Sequence, residues 1–253
     1  MSYSVSLLQR GTRALQNIDW LSFLLPPCCS LCREPLTDTA TLCGLCWLEI
    51  DFATPPFCHS CGLPFEFDLG NQCLQCQKQS PPWTAFSAAL RYNDQSARMI
   101  TQFKHSPRIT LLPLLAKWLL FASRRLPEPD YIIPMPIHRW RMLHRQFNQA
   151  ALLSERLAHL RETPELYAPL ILQRLGRNAL QRGLSTAERK QNVAGVFHLH
   201  PKAPNLAGRH VWLVDDVATT GASLSAASRV LTKAGAKVST LVVARVNGAF
   251  SNL

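Results

Sequence analysis

Val211-Trp-Leu-Val-Asp215-Asp216-Val-Ala-Thr219-Thr220-Gly221-Ala222-Ser223 is the stretch on which the reading of this chain turns. Four apolar residues run straight into two acids. Such a run predicts a strand buried on both faces of a parallel sheet. The small and hydroxyl-bearing residues that follow, Ala218, Thr219, Thr220, Gly221, Ala222 and Ser223, predict a turn into a helix. Their backbone N–H groups can approach an anion at the helix N-terminus, where the dipole favours negative charge. Asp215 and Asp216 are expected where the strand ends, at the carboxyl edge where open α/β sheets bind ligands. There they can hold ribose hydroxyls or a hydrated Mg²⁺, which takes oxygen ligands. An ordinary buried strand with an Asp-rich turn accounts for Val211 to Val214, but not for paired acids followed by Thr-Thr-Gly.

The same stretch resembles the phosphoribosyl-pyrophosphate (PRPP) motif of type I phosphoribosyltransferases. Hydrophobic block, acid pair, Thr-Thr-Gly and hydroxyl stand in order without a gap. The resemblance implies a 5-phosphate cradled by Thr219 to Ser223. It also implies a ribose diol on Asp215 and Asp216, and a Mg²⁺ bridging ribose and pyrophosphate.

The 253 residues can hold one large domain, or a domain plus a module. With 47% apolar and 17% charged residues, a full core can form. No apolar run reaches the ~18 residues of a membrane span; the longest, Leu111 to Ala122, is broken by Lys117. Residues 1–27 lack a continuous apolar block and a cleavage site, so the expected location is cytoplasmic. Leu7, Leu8, Leu15, Ile18, Leu21 and Leu24 recur at roughly helical spacing, predicting a helical extension docked on the body. A membrane-surface helix is the other option, but its polar face would carry few cations.

The net charge of +11 is unevenly spread. Residues 1–80 hold 4 Lys/Arg against 7 Asp/Glu, whereas residues 81–253 hold 23 against 9. The positive charge therefore lies with the PRPP-like stretch and fits polyanionic partners. Composition does not separate a phosphate-rich small substrate from nucleic acid, nor either from a merely basic surface.

All nine cysteines lie between Cys28 and Cys76. Eight form Cys-x-x-Cys pairs: Cys29/Cys32, Cys43/Cys46, Cys58/Cys61 and Cys73/Cys76. Two residues between thiolates let one tight turn aim both sulfurs at one ion, and two such turns complete a tetrahedral site. The expectation is two structural zinc sites in a double zinc ribbon over residues 28–80. Joining neighbouring pairs is the simplest arrangement; spacing also permits an interleaved one. Cys28 is the extra thiol. A disulfide-bonded secreted knot fits poorly without a signal peptide, and a thioredoxin-like redox pair would need a βαβ setting. Trp47, Phe52, Phe57, His59, Phe65 and Phe67 can stack bases, or form the module's small core.

Residues 81–253 carry alternating strand and helix signals. Strands are predicted over Thr84–Tyr92, Asp130–Pro136, Val211–Asp215 and Val238–Val246. Helices are predicted over Ser96–His105, Leu111–Arg125, Arg141–Arg161 and Ala222–Ala234, the last closed by Gly235. Such alternation predicts a parallel, doubly wound sheet flanked by helices. A cluster from Pro134 to Gln149 packs cations and amides just after a strand end. Arg139 or Arg145 can hold a pyrophosphate through guanidinium forks, and Asn148 and Gln149 can orient a substrate. A second polar, Gly-interrupted cluster runs from Arg174 to Phe197 and contains Gln181, Arg189 and Asn192. It suits a mobile loop that closes over an anion, or a plain surface connection.

Taken together, the chain resembles the ComF family, most closely its enterobacterial GntX/YhgH-like members, which are linked to using DNA as a nutrient. The resemblance runs from Cys29 to Val246. It rests on the Cys-x-x-Cys pairs, Cys61-Gly-Leu-Pro, Pro-Pro-Trp83, Phe147-Asn-Gln, the Gln181/Arg189/Asn192/Phe197 pattern and the Asp215 stretch. Family members usually have Arg-Gly-Phe-Asn-Gln, where Gln146 here replaces the glycine. The resemblance implies a type I phosphoribosyltransferase-like fold and a part in handling incoming DNA. Two functions follow: a PRPP-dependent pentosyl transferase of unspecified acceptor, or a non-catalytic adaptor for single-stranded DNA that senses a phosphorylated metabolite. Partners of either would include competence or DNA-uptake machinery. A glutamine-dependent amidophosphoribosyltransferase is disfavoured, because no Cys nucleophile follows Met1.

Overall fold

A computed structural model describes residues 27–36, 42–67, 70–105, 111–137, 147–175 and 195–248 of the chain. These fall into two compact units that divide between Trp47 and Leu48. The expected helix over residues 1–27 lies, but for Pro27, outside the described residues.

The first unit is built around cysteine. Cys28 bridges to Pro35, and α1 (Gly44–Leu48) begins one residue after Cys43. Among its described residues, Cys29, Leu31, Leu42 and Cys46 are buried.

The second unit begins with another cysteine module containing α2 (Leu74–Lys78) and passes into an α/β body. That body runs β1 (Ala85–Arg91), α3 (Asp94–His105), α4 (Leu112–Ser123), β2 (Tyr131–Pro134), α5 (Gln149–Leu160), β3 (Leu172–Arg174), β4 (Phe197–Leu199), β5 (His210–Ala218), α6 (Ala222–Lys233) and β6 (Lys237–Arg245). The main sheet has the order β1-β6-β5-β2, and every pair is parallel. α4 and α5 pack on each other and on one face of the sheet. α6 packs on β5 and β6 from the other face, in the core that holds Val211, Leu213, Val238 and Val242. Burial on both faces explains the apolar runs Val211–Val214 of β5 and Leu241–Ala244 of β6; all of β6 after Lys237 is buried.

Four predicted strands and three predicted helices are present with small shifts at their ends. The helix predicted from Arg141 differs: Phe147 and Asn148 are not helical, and α5 starts at Gln149. Asn148 is its N-cap, in an extended conformation, accepting from the N–H groups of Ala150 and Ala151. The antiparallel hairpin β3–β4 was not anticipated. Gly235, at φ +85°, closes α6, with Ala236 N–H donating back to the Leu231 carbonyl.

One detail of register positions the site. β5 pairs with β6 from His210 to Ala218, but with β2 only from Val211 to Val214. β2 ends at Pro134, and just beyond it the Met135 N–H still donates to the Val214 carbonyl. Asp215 and Asp216 therefore lie where one neighbour has ended and the other continues. This corrects the expectation that the strand itself ends at the acids.

Candidate functional site

The sequence Asp215 to Ser223 turns the end of β5 into the start of α6. Asp215 Oδ1 accepts from the Asp216 N–H at 2.8 Å, and Asp216 Oδ1 from the Val217 N–H at 2.7 Å. Each carboxylate thus keeps one oxygen outside these bonds. Ala218 is buried, whereas Thr219 and Thr220 are exposed. Gly221 sits at φ +75° as the N-cap of α6 and has no side-chain cap bond. The first N–H groups of a helix have no acceptor within it, so the turn presents an uncapped helix N-terminus beside two acids. Ala222 and Ser223 form the first half-turn and are partly exposed.

Electrostatics separate the two acids. Burial, and then the charge of Asp216, hold the Asp215 carboxyl well above the usual carboxylate range. Asp216 Oδ2 forms an ion pair with Lys104 Nζ of α3 at 2.7 Å. Both side chains retain some exposure, 24% and 15%, so the pair is not sealed in the core. Of the two acids, Asp216 thus has a cation partner within the fold. Sequence reasoning missed Lys104, which looks like any polar residue of an amphipathic helix.

The other predicted residues divide. Asn148 caps α5 and donates from Nδ2 to the Met135 carbonyl, one residue beyond β2. This bond ties the helix start to the same sheet edge as the acids. Phe147 lies 6.4 Å from the Phe103 ring of α3. Gln149 is buried, and its Nε2 has no hydrogen-bond partner. Arg139, Arg145, Gln181, Arg189 and Asn192 lie outside the described residues.

Two four-cysteine clusters form from neighbouring pairs: Cys29, Cys32, Cys43 and Cys46 in the first unit, and Cys58, Cys61, Cys73 and Cys76 in the second. Within each, all four sulfurs lie within 4.8 Å of one another. Cys32 and Cys43 Sγ are 3.6 Å apart, and Cys61 and Cys73 Sγ 3.8 Å. A tetrahedral site with Zn–S of ~2.3 Å requires sulfurs ~3.8 Å apart, so both clusters fit zinc. Cys46 N–H donates to Cys43 Sγ and Cys73 N–H to Cys58 Sγ. The hydrogen bond with Cys61 draws the Cys58 thiol down to about 4 and pushes Cys61 up. Such sharing of protons is what a metal ion replaces. Cys28 belongs to neither cluster.

The second cluster lies in the same core as the α/β body, with Trp83, Phe86 and Met135. Buried Arg245, the last residue of β6, donates from Nε to the Cys61 carbonyl at 2.9 Å. It also donates to the carbonyls of Thr219, Val246 and Gly248. Burial pulls the Arg245 guanidinium below its ordinary range, opposed by the sulfurs of Cys61, Cys73 and Cys76.

The ring residues of the cysteine modules also separate. Phe65 is buried, Phe52 stacks edge-on against Trp118 at 5.3 Å, and Phe57 lies under the Arg125 guanidinium at 5.2 Å. Trp47 and Phe67 are exposed.

A model of the double zinc ribbon domain matches residues 20–78, and a model of the phosphoribosyl transferase domain matches residues 166–249. Competence protein F of Haemophilus influenzae is 33% identical over 214 residues, 82% of this chain and 91% of that protein. The DNA utilization protein YhgH of Escherichia coli K12 is 31% identical over 222 residues, 84% and 93% of the two chains. Competence protein ComFC of Streptococcus pneumoniae is 23% identical, over 83% and 95%. Among solved structures, the adenine phosphoribosyltransferase of Saccharomyces cerevisiae matches with TM-score 0.34 and 19% identity, over 61% of this chain and 75% of that one. Among the described residues, no helix is long and apolar enough to cross a membrane. Identity at this level, spread over nearly the full length of competence protein F and YhgH, makes the chain a member of the ComF family, with a double zinc ribbon ahead of a type I phosphoribosyltransferase-like fold.

Proposed function

We propose that this protein binds PRPP and takes part in the handling of DNA as incoming material or nutrient. The observation that carries the reading is the juxtaposition at the end of β5: two adjacent carboxylates, then an uncapped helix N-terminus opened by a left-handed glycine. The N–H groups after Thr219 suit a 5-phosphate, and the carboxylates suit a ribose diol. Mg²⁺ would supply charge neutralisation between ribose and pyrophosphate oxygens. Arg139 and Arg145 are proposed to hold the pyrophosphate, and Gln181, Arg189 and Asn192 to belong to a loop that shields it. A nucleophile would displace pyrophosphate at C1 through an oxocarbenium-like state, stabilised chiefly by preorganised charge.

Association with DNA is supported by the names of the relatives, by the basic residues 81–253 and by exposed rings on the cysteine modules, Trp47 and Phe67. A specific observation favours the non-catalytic version: Asp216 is engaged by Lys104, so the acids are only half available for chemistry. Location in the cytoplasm, and contact with uptake machinery, belong to the same proposal.

Titration calorimetry with PRPP and Mg²⁺, followed by a screen for pyrophosphate release across nucleobases and DNA, tests it. Binding with release, abolished in Asp215→Ala/Asp216→Ala, supports a transferase. Binding without release, together with DNA retention that falls steeply with salt and survives those substitutions, supports the adaptor. Absence of PRPP binding overturns the site.

A further inference from the structure

Three consecutive residues of the turn that carries Cys61 press on the α/β body. The Ser60 carbonyl accepts from Trp83 Nε1 at 2.6 Å. The Cys61 carbonyl accepts from Arg245 Nε. Gly62 turns at φ +69°, and a Cβ there would lie 2.5 Å from the Phe86 ring of β1. Only a residue without a side chain lets this knuckle sit so close.

Arg245 faces in two directions. Towards the cysteines it holds the carbonyl of a metal-site residue. Towards the sheet edge its Nη1 reaches the Thr219 carbonyl at 3.4 Å, and its Nη2 the Gly248 carbonyl at 2.7 Å. Thr219 follows Ala218, the register partner of Arg245 in the sheet. Arg245 is only 1% exposed, and a buried cation needs compensating charge. Four thiolates around one Zn²⁺ carry a net charge of about −2 and provide it. A planar fork can hold two carbonyls at once, which a lysine ammonium does poorly.

We propose that Arg245 is a positioning residue that makes the phosphate loop depend on the second zinc site. It holds the Thr219 carbonyl, and hence the direction of the following N–H groups, while Cys61 is fixed by metal. Loss of that metal frees Cys61, and the loop loses its anchor. By reciprocity, an anion on the loop tightens metal binding at the second site and leaves the first unaffected. This rests on the loop's being the phosphate cradle, but two of its readouts need no PRPP.

The experiment compares wild type, Arg245→Leu and Arg245→Lys as full chains loaded with two zinc equivalents. Hydrogen exchange is read in peptides spanning residues 218–225, zinc release by a chromophoric chelator, and PRPP·Mg²⁺ affinity by calorimetry. Arg245→Leu should raise loop exchange at least tenfold and release one of two zinc equivalents at least tenfold faster. Its PRPP affinity should fall about tenfold. Arg245→Lys, which keeps the charge, should recover zinc retention but not loop protection. Wild-type exchange and release rates in Arg245→Leu overturn the proposal. Should that variant fail to fold, wild type decides: partial zinc withdrawal must loosen residues 218–225 before the rest of the sheet, and uniform loosening overturns the coupling. If wild type binds no PRPP while exchange and release remain linked, the functional reading fails and the coupling stands.

Discussion

Lys104 Nζ lies 2.7 Å from Asp216 Oδ2, so α3 delivers a cation to the acid pair of β5. The pair is partly shielded, and its strength should fall between that of exposed and buried pairs. Lys104→Met should cost about 1–2 kcal/mol in urea denaturation. It should also raise affinity for Mg²⁺ alone several-fold, because two adjacent carboxylates lose their nearest cation. If neither quantity moves, Lys104 is a bystander.

Asp215 makes a prediction about pH. Burial, and then Asp216, hold its carboxyl well above the ordinary range. A carboxyl with a higher pKa folded than unfolded stabilises the fold while protonated. That contribution is complete below the unfolded value of about 4 and is lost as pH rises through the raised folded value. Asp215→Asn escapes the loss. It should be more stable than wild type at pH 8 by on the order of 1 kcal/mol, with the gap closing towards pH 4 in thermal melts. The same variant should lose PRPP binding. A group that costs stability yet is needed for a ligand is there for the ligand; a lower melting point at pH 8 would assign Asp215 to the fold instead.

Much of this arrangement was legible because it is written in local patterns. Strands of a parallel sheet are rich in apolar and β-branched residues, which makes Val211–Val214 and Val238–Val246 legible. Cysteine pairing follows from the reach of a two-residue turn. The Lys104–Asp216 and Arg245–Cys61 contacts were not legible, since each joins elements that meet only after the sheet has formed. The hairpin β3–β4 has three residues per strand, too few to display alternation. Asn148 could have been read as a helix cap, as asparagine directly before Gln-Ala-Ala-Leu-Leu is an N-cap signal. The predicted helix instead runs through Phe147 and Asn148, which are not helical.

Gly221 is the hinge between strand and helix. Its φ of +75° is the left-handed region, which costs a residue with a Cβ roughly 1–2 kcal/mol. Gly221→Ala should lose that much stability in urea and weaken PRPP binding by redirecting the N–H groups of Ala222 and Ser223. Gly221→Asn should recover much of the stability, since asparagine tolerates this conformation better. Equal stabilities for the two variants would mean that the turn relaxes.

The two cysteine clusters should respond differently to loss of a ligand. Cys61 is fully buried in the core shared with the sheet, whereas Cys32 is exposed in the first unit. A structural zinc contributes ~10 kcal/mol of binding free energy, comparable with the ~5–15 kcal/mol that holds a whole domain together. Cys61→Ser also leaves a hydroxyl where a thiolate met its metal. It should lose one zinc equivalent and lower the main calorimetric transition by more than about 10 °C, or abolish it. Cys32→Ser should lose one zinc equivalent while the α/β body melts as in wild type. Zinc content by mass spectrometry and scanning calorimetry on the same samples decide the matter. An equal fall in the main transition for both would mean that the two clusters support the sheet together, and the division at Trp47 and Leu48 would then have no thermodynamic counterpart.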